Sequence, residues 1–196
     1  MSELPQGNPG DALNWPMLKI KYLTDPENIA KILPPGIEPG SKPEVILTVY
    51  NFPVNGHPEF GCVTAVAAKH DGKEGEFAIG YAIDRESEIF ISQEKFGQPK
   101  YPADITYFRI MDYVSAKVTH QRYTFLEYEG QVSETVDPGE EFVVNEFWVK
   151  YSRKASYTET GFDFPPHVVD VYSKYGTALK QKLQGKLTLR ESPWDP

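Results

Sequence analysis

Cysteine is almost absent from this sequence: Cys62 stands alone among 196 residues. A single cysteine excludes an internal disulfide and supplies no thiolate cluster for a metal, so Cys62 reads as a small buried apolar residue. Positive charge is also short, with 20 lysines and arginines against 28 aspartates and glutamates and a net charge of -8. Nucleic-acid binding needs a basic surface to neutralise phosphates, so that class of partner is not expected. No apolar run approaches membrane-spanning length. The opening M-S-E-L-P-Q-G-N-P-G has neither the basic nor the apolar part of a signal peptide, which makes a cytoplasmic location the default expectation. The four histidines, His57, His70, His120 and His167, form no i, i+4 pair and no H-x-H, so no metal is expected. A P-loop, a Rossmann glycine signature and a G-x-S-x-G elbow are all lacking, and no cofactor is expected.

Turn formers are plentiful, with 17 prolines and 15 glycines. Between them lie short runs rich in β-branched and aromatic residues, and no repeat or linker divides the chain. The length fits one domain, residues 15–196, behind a loosely held arm at 1–14 rich in Gly, Pro and polar residues. Met17 to Tyr22 alternates apolar residues with lysine, the period of a half-exposed strand. Thr24-Asp25-Pro26-Glu27 predicts a helix start, with Thr24 or Asp25 as cap, and the helix runs to Leu33 before Pro34-Pro35 stops it. Strands are predicted at Val45 to Phe52, Cys62 to Lys69 and Glu76 to Asp84, the last two joined through a His70-Asp71-Gly72 turn. Asp84 is placed to cap a second helix, about Arg85 to Phe96.

Further strands are predicted at Tyr107 to Met111, Ala116 to His120, Tyr123 to Tyr128, Val132 to Val136 and Phe142 to Tyr151. Turns fall at Glu129-Gly130 and Asp137-Pro138-Gly139, and a loop at Thr158 to Pro166. Val168 to Leu183 reads by pattern as strand or as part helix. The predicted fold is mainly β with a few short helices (α+β), an antiparallel barrel-like or double-sheet domain. Its sheet edges favour assembly into a homo-oligomer.

One stretch concentrates chemistry: I-S-Q-E-K-F-G-Q-P-K-Y-P-A-D, Ile91 to Asp104. Gly97 can end the helix in a left-handed cap, Pro99 forbids its resumption, and Lys100 then sits on stiff, extended chain between Pro99 and Pro102. Such a lysine is aimed. Helix, G-x-P-K and extended chain resemble the acetoacetate decarboxylase family, whose pattern is G-R-E, a short spacer and P-K-K, with the first lysine forming a Schiff base. Ser92-Gln93-Glu94 stands where the family has G-R-E, and Pro99-Lys100 stands at the nucleophile. Asn145 to Val169 and Gly185 to Pro196 also resemble the wider superfamily, whose members are strand-rich over Val168 to Leu183 and usually continue through a further C-terminal segment.

The departures are specific. Tyr101 replaces the second lysine, and no arginine stands in Asn14-Trp15-Pro16-Met17. No glutamate stands in Val45 to Tyr50 or Cys62 to Ala65, where the resemblance would place one. A free lysine has a pKa of about 10.4 and is rarely neutral at pH 7, so a nucleophilic one must be desolvated or sit beside a cation. Acetoacetate decarboxylase is itself the standard example of activation by a neighbouring cation, so that point is carried by the resemblance. With Tyr101 in place of the cation, burial must do more of the work.

The resemblance implies a Schiff-base-forming lyase acting on a small or aromatic keto acid or aldehyde, of decarboxylase or aldolase-dehydratase type. Lys100 is the expected nucleophile and Glu94 the expected second catalytic residue, with Gln98, Tyr101 and Tyr107 lining the substrate pocket. The alternative is a non-catalytic small-molecule-binding protein that keeps the fold and an apolar pocket.

Overall fold

The computed structural model describes residues 12–54 and 56–192, so most of the N-terminal arm lies outside the described residues. In chain order the elements are β1 (Met17–Leu23), α1 (Pro26–Ile32), β2 (Glu38–Pro39), β3 (Glu44–Val54), β4 (His57–His70) and β5 (Lys73–Ile83). There follow α2 (Glu86–Phe96), β6 (Lys100–Pro102), β7 (Asp104–Ile110), β8 (Tyr113–His120), β9 (Tyr123–Val136), β10 (Phe142–Lys150), β11 (His167–Tyr175) and β12 (Lys180–Leu189). The fold is therefore mostly strand with two short helices. Among the described residues the strands form two sheets and no closed barrel. The larger runs β1-β3-β4-β5-β10-β11, with β2 on β4 and β6 on β5, and the smaller runs β12-β9-β8-β7.

Most neighbours are antiparallel, while β5 pairs in parallel with both β6 and β10. The hairpin between β4 and β5 turns at Asp71 (φ 49°) and Gly72 (φ 75°), the two positive angles of a type I′ turn. β3 reads V-I-L-T-V-Y because it is buried on both faces, so its apolar residues run on rather than alternate. One face of the larger sheet packs against the smaller sheet. Leu47, Val49, Cys62 and Ala82 meet Ile105, Val118, Phe125 and Leu126 there. The other face carries a second apolar cluster, Tyr81, Ile83 and Trp148 with Ile89 of α2 and Val169 and Val171 of β11.

The larger sheet curls around that second face, bringing Trp15, just ahead of β1, to Tyr175 on β11 with ring centroids 6.2 Å apart.

Of the two expected caps α1 uses Asp25, whose carboxylate accepts from the Glu27 amide at 2.9 Å, while the Thr24 amide is committed to Pro43. Other boundaries differ from the sequence expectation. Asp84 does not cap α2. Its carboxylate accepts from the Phe60 amide at 2.9 Å and so closes the end of the β4–β5 pair. β4 begins at His57, five residues before the predicted Cys62. Glu129-Gly130 is no turn, because β9 is paired on both sides there, Gly130 lying opposite Val114 of β8 and Gly185 of β12. The ambiguous stretch from Val168 resolves into strand and strand.

Gly97 does end α2 in the left-handed region, at φ 72°, and its amide returns to Gln93 O at 3.0 Å while that of Gln98 reaches Ser92 O at 3.3 Å. A Cβ at Gly97 would lie 2.5 Å from the Val149 carbonyl oxygen, so this turn is docked tightly on β10. Gly97→Ala combines a strained φ with that clash and is expected to cost at least roughly 1–3 kcal/mol, read as a lower thermal midpoint. An unchanged midpoint would show that β10 does not hold the turn.

Candidate active site around Lys100

β6 is only Lys100, Tyr101 and Pro102, and it lies beside β5 with Lys100 opposite Tyr81. The Tyr81 amide donates to Pro99 O at 3.0 Å and the Ala103 amide to Ile83 O at 2.8 Å, so this short strand is pinned at both ends. Gln93 of α2 adds a hydrogen bond from its side-chain amide to Lys100 O, at 2.5 Å. The lysine backbone is thereby fixed by sheet, helix and two prolines. Alternation does the rest. Lys100 points to the curled face of the larger sheet and Tyr101 to the opposite one.

The Lys100 side chain is 10% exposed, and its Nζ lies 3.8 Å from Oε2 of Glu59, whose side chain is 4% exposed. Glu59 sits on β4, opposite Phe52 of β3. Its Oε1 accepts a hydrogen bond from the Tyr50 hydroxyl at 3.0 Å, whereas its buried Oε2 has no hydrogen-bond donor among the described residues. The Tyr50 ring reaches Glu59 by crossing Gly61, where a Cβ would stand 2.2 Å from the ring. Glycine is what leaves room for that contact.

Burial pushes the Glu59 carboxyl above its ordinary value, outweighing the Lys100 ammonium and the Tyr50 hydrogen bond, which both pull it down. Burial likewise raises the Tyr50 hydroxyl, with the Glu59 charge adding to the effect.

The same face carries a second carboxyl, Glu146 on β10. The Tyr81 hydroxyl and the Trp148 indole N–H both donate to its Oε1. Burial pushes Glu146 up to about 7, the Trp148 hydrogen bond and Lys19 opposing the shift and Glu76 adding to it. Lys19 and Glu76 pair with each other at 3.4 Å. Trp15 stands edge-on to Tyr50 and Phe52, giving this face an aromatic wall near the lysine.

Of the residues expected from the sequence, only Lys100 faces this group. Glu94 is exposed on α2, and the carboxyl beside the lysine is Glu59 instead. Gln98 lines a different cleft, with Gln93, Gly97, Pro99, Val149 and Tyr151, in which neither Lys100 nor Glu59 takes part. Tyr101 and Tyr107 pack against the core between the two sheets, and the Tyr101 ring stands edge-on to His120 at 5.2 Å. Burial raises the hydroxyls of both tyrosines, without placing either on the lysine face. Glu94→Gln is accordingly expected to leave lysine reactivity and melting temperature unchanged. A fall in reactivity would return Glu94 to the site.

No group of three or more potential metal ligands occurs among the described residues, and no helix there is long and apolar enough to cross a membrane.

An enclosed lysine facing a buried carboxyl, on one face of a two-sheet β domain, defines a class of site suited to amine chemistry on carbonyl compounds. The sequence profile of the family described as Acetoacetate decarboxylase (ADC) matches residues 1–196, and the chain belongs to that family. Among solved structures it is similar to acetoacetate decarboxylase from Legionella pneumophila subsp. pneumophila str. Philadelphia 1. That match has 20% identity and a TM-score of 0.69, and covers 100% of this chain and 81% of the other. The enduracididine biosynthesis enzyme MppR, complexed with the condensation product of pyruvate and imidazole 4-carboxaldehyde, is similar at 14% identity and TM-score 0.69. Coverage there is 91% of this chain and 76% of MppR. An acetoacetate decarboxylase-like enzyme from Sphingomonas wittichii RW1 matches at 16% identity and TM-score 0.67, over 93% of this chain and 80% of that one. No curated protein matches the sequence.

Proposed function

We propose that the protein is a Schiff-base-forming lyase acting on a keto acid, with Lys100 as nucleophile and Glu59 as the group that moves protons beside it. The observation that carries this reading is the 3.8 Å approach of Lys100 Nζ to the buried, otherwise unbonded Oε2 of Glu59. A lysine kept for structure would have its partner hydrogen-bonded. Here Oε2 accepts no hydrogen bond among the described residues and so keeps a lone pair for proton transfer beside the amine. Family membership and the MppR complex with the condensation product of pyruvate and imidazole 4-carboxaldehyde support the same substrate class.

In the first step the neutral Lys100 amine attacks the substrate carbonyl carbon. The nitrogen passes one of its protons to the oxygen and Glu59 in its acid form supplies a second, so the oxygen leaves as water, a protonated imine remains and Glu59 is left as carboxylate. In a β-keto acid the bond to the carboxylate then breaks. Its electron pair moves onto the imine nitrogen through an enamine, and carbon dioxide departs. Protonation of the enamine carbon and hydrolysis of the imine release the ketone and restore Lys100. An enamine formed from pyruvate by loss of a proton, rather than of carbon dioxide, would add to an aldehyde carbon instead. Glu59 in its basic form is placed for that proton transfer.

The competing reading, a binding protein without turnover, predicts an unreactive lysine. Trapping with borohydride in the presence of a keto acid separates the two.

A further inference from the structure

Lys100 and Glu59 occupy one end of the curled face, and nothing in that pair uses Glu146. Yet Glu146 is built with care. Two side-chain donors from two strands, Tyr81 of β5 and Trp148 of β10 itself, converge on Oε1. Among the described residues neither of them bonds Oε2. The group is also electrically part of the same site: burial raises the hydroxyls of Tyr50, the residue bonded to Glu59, and of Tyr175 on β11, and the Glu146 charge adds to both shifts. Tyr81 joins the two ends, since its backbone lies opposite Lys100 and its hydroxyl reaches Glu146. With its carboxyl pushed up to about 7, Glu146 offers both an acceptor and a donor near neutral pH.

We infer that Glu146 is a specificity-determining residue, holding through its free Oε2 a hydroxyl at the far end of an aromatic keto acid whose carbonyl is bound at Lys100. This rests on the Schiff-base reading above and adds the substrate class to it. The aromatic class follows from what lies between the two ends. Tyr81 and Trp148 pack edge-on at 6.4 Å beside the carboxyl, and Phe52 stands edge-on to Trp15 and to Tyr50, which bonds Glu59 beside the lysine. Aromatic rings on the face that carries both polar groups suit a flat, doubly functional ligand. A site built to bond a hydroxyl rejects the analogue that lacks it, because its own polar group is then left unpaired.

The test compares 4-hydroxyphenylpyruvate with phenylpyruvate, two acids differing by that hydroxyl. The readout is the concentration giving half-maximal borohydride-trapped mass on the Lys100 peptide. The wild-type protein is expected to saturate with the hydroxylated acid at a concentration at least about tenfold lower. Glu146→Gln, whose amide still bonds both tyrosine and tryptophan donors and the ligand, should keep the preference. Glu146→Leu should bring the two acids within about twofold of each other while phenylpyruvate trapping persists.

A wild-type protein that traps both acids equally, or Glu146→Leu retaining the preference, would overturn this inference and leave the lysine chemistry intact. No adduct with either acid in the wild-type protein would overturn both. Because the wild-type comparison alone can refute the idea, it does not depend on whether the leucine variant folds.

Discussion

Incubating the protein with a keto acid and borohydride should add a stable mass to the peptide carrying Lys100 and to no other lysine peptide. Lys100→Ala should abolish the adduct and any turnover. The expected loss is complete, because Lys19, an amine near Glu146, is held by Glu76 at 3.4 Å and lacks the enclosure that Lys100 has. Removing one partner of a buried ion pair also leaves the other unpaired, which makes a loss of activity in the alanine variant ambiguous by itself. Lys100→Arg resolves this. Arginine keeps a cation against Glu59 and so preserves the fold, but a guanidinium that stays protonated cannot form the imine. A folded arginine variant with no adduct assigns the chemistry to the amine. Adducts scattered over surface lysines, or activity surviving in Lys100→Ala, would sink the catalytic reading and favour a binding protein.

Glu59→Gln should lower turnover by about 100-fold or more and should flatten the dependence of stability on pH. The two halves of this expectation have one origin. A carboxyl whose folded value is raised above the unfolded value of 4.5 holds its proton more tightly in the native state. The stability it contributes is therefore fully present below 4.5 and is lost as the pH rises through the folded value. Glutamine is neutral throughout, keeps an oxygen for the Tyr50 hydroxyl, and escapes that loss. Melting curves at pH 5 and pH 8 should show the wild type giving up stability with rising pH and Glu59→Gln giving up less. Turnover falling in step with stability would assign Glu59 to structure, and turnover unchanged would remove it from the mechanism.

Much of the architecture is legible in local pattern: two short helices, a strand-rich chain and a glycine-capped turn into a proline-braced lysine. The site is less so, and the reasons are physical. Glu59 lies in H-P-E-F-G, where Pro58 and Gly61 read as turn residues, so local pattern starts the strand at Cys62 and leaves the carboxylate outside it. The proline is tolerated because it is only the second residue of β4, and the glycine serves the Tyr50 ring rather than a bend. Register between distant strands, which no single stretch encodes, is what brings Glu59 to Lys100.

Tyr101 is a different case. Its neighbour Lys100 starts a strand, and successive residues of a strand face opposite ways, so adjacency in sequence argues against a shared pocket. The same parity governs Tyr107, which joins Ile105 on the inter-sheet side. Glu146, in N-E-F-W-V, has the alternation of a strand but nothing local to mark it, since Tyr81 arrives from 65 residues away.

The two faces of the larger sheet have consequences beyond this one molecule. On β4, Glu59, Gly61 and Val63 lie on the face that carries Lys100, while the residues between them look into the packed interior. Positions on the first face, Gly61 apart because any side chain there meets the Tyr50 ring, can vary without reaching into the second, so what the molecule accepts and how it folds are governed by different residues. A lineage built on such a sheet can drift far in substrate and sequence and still keep its shape.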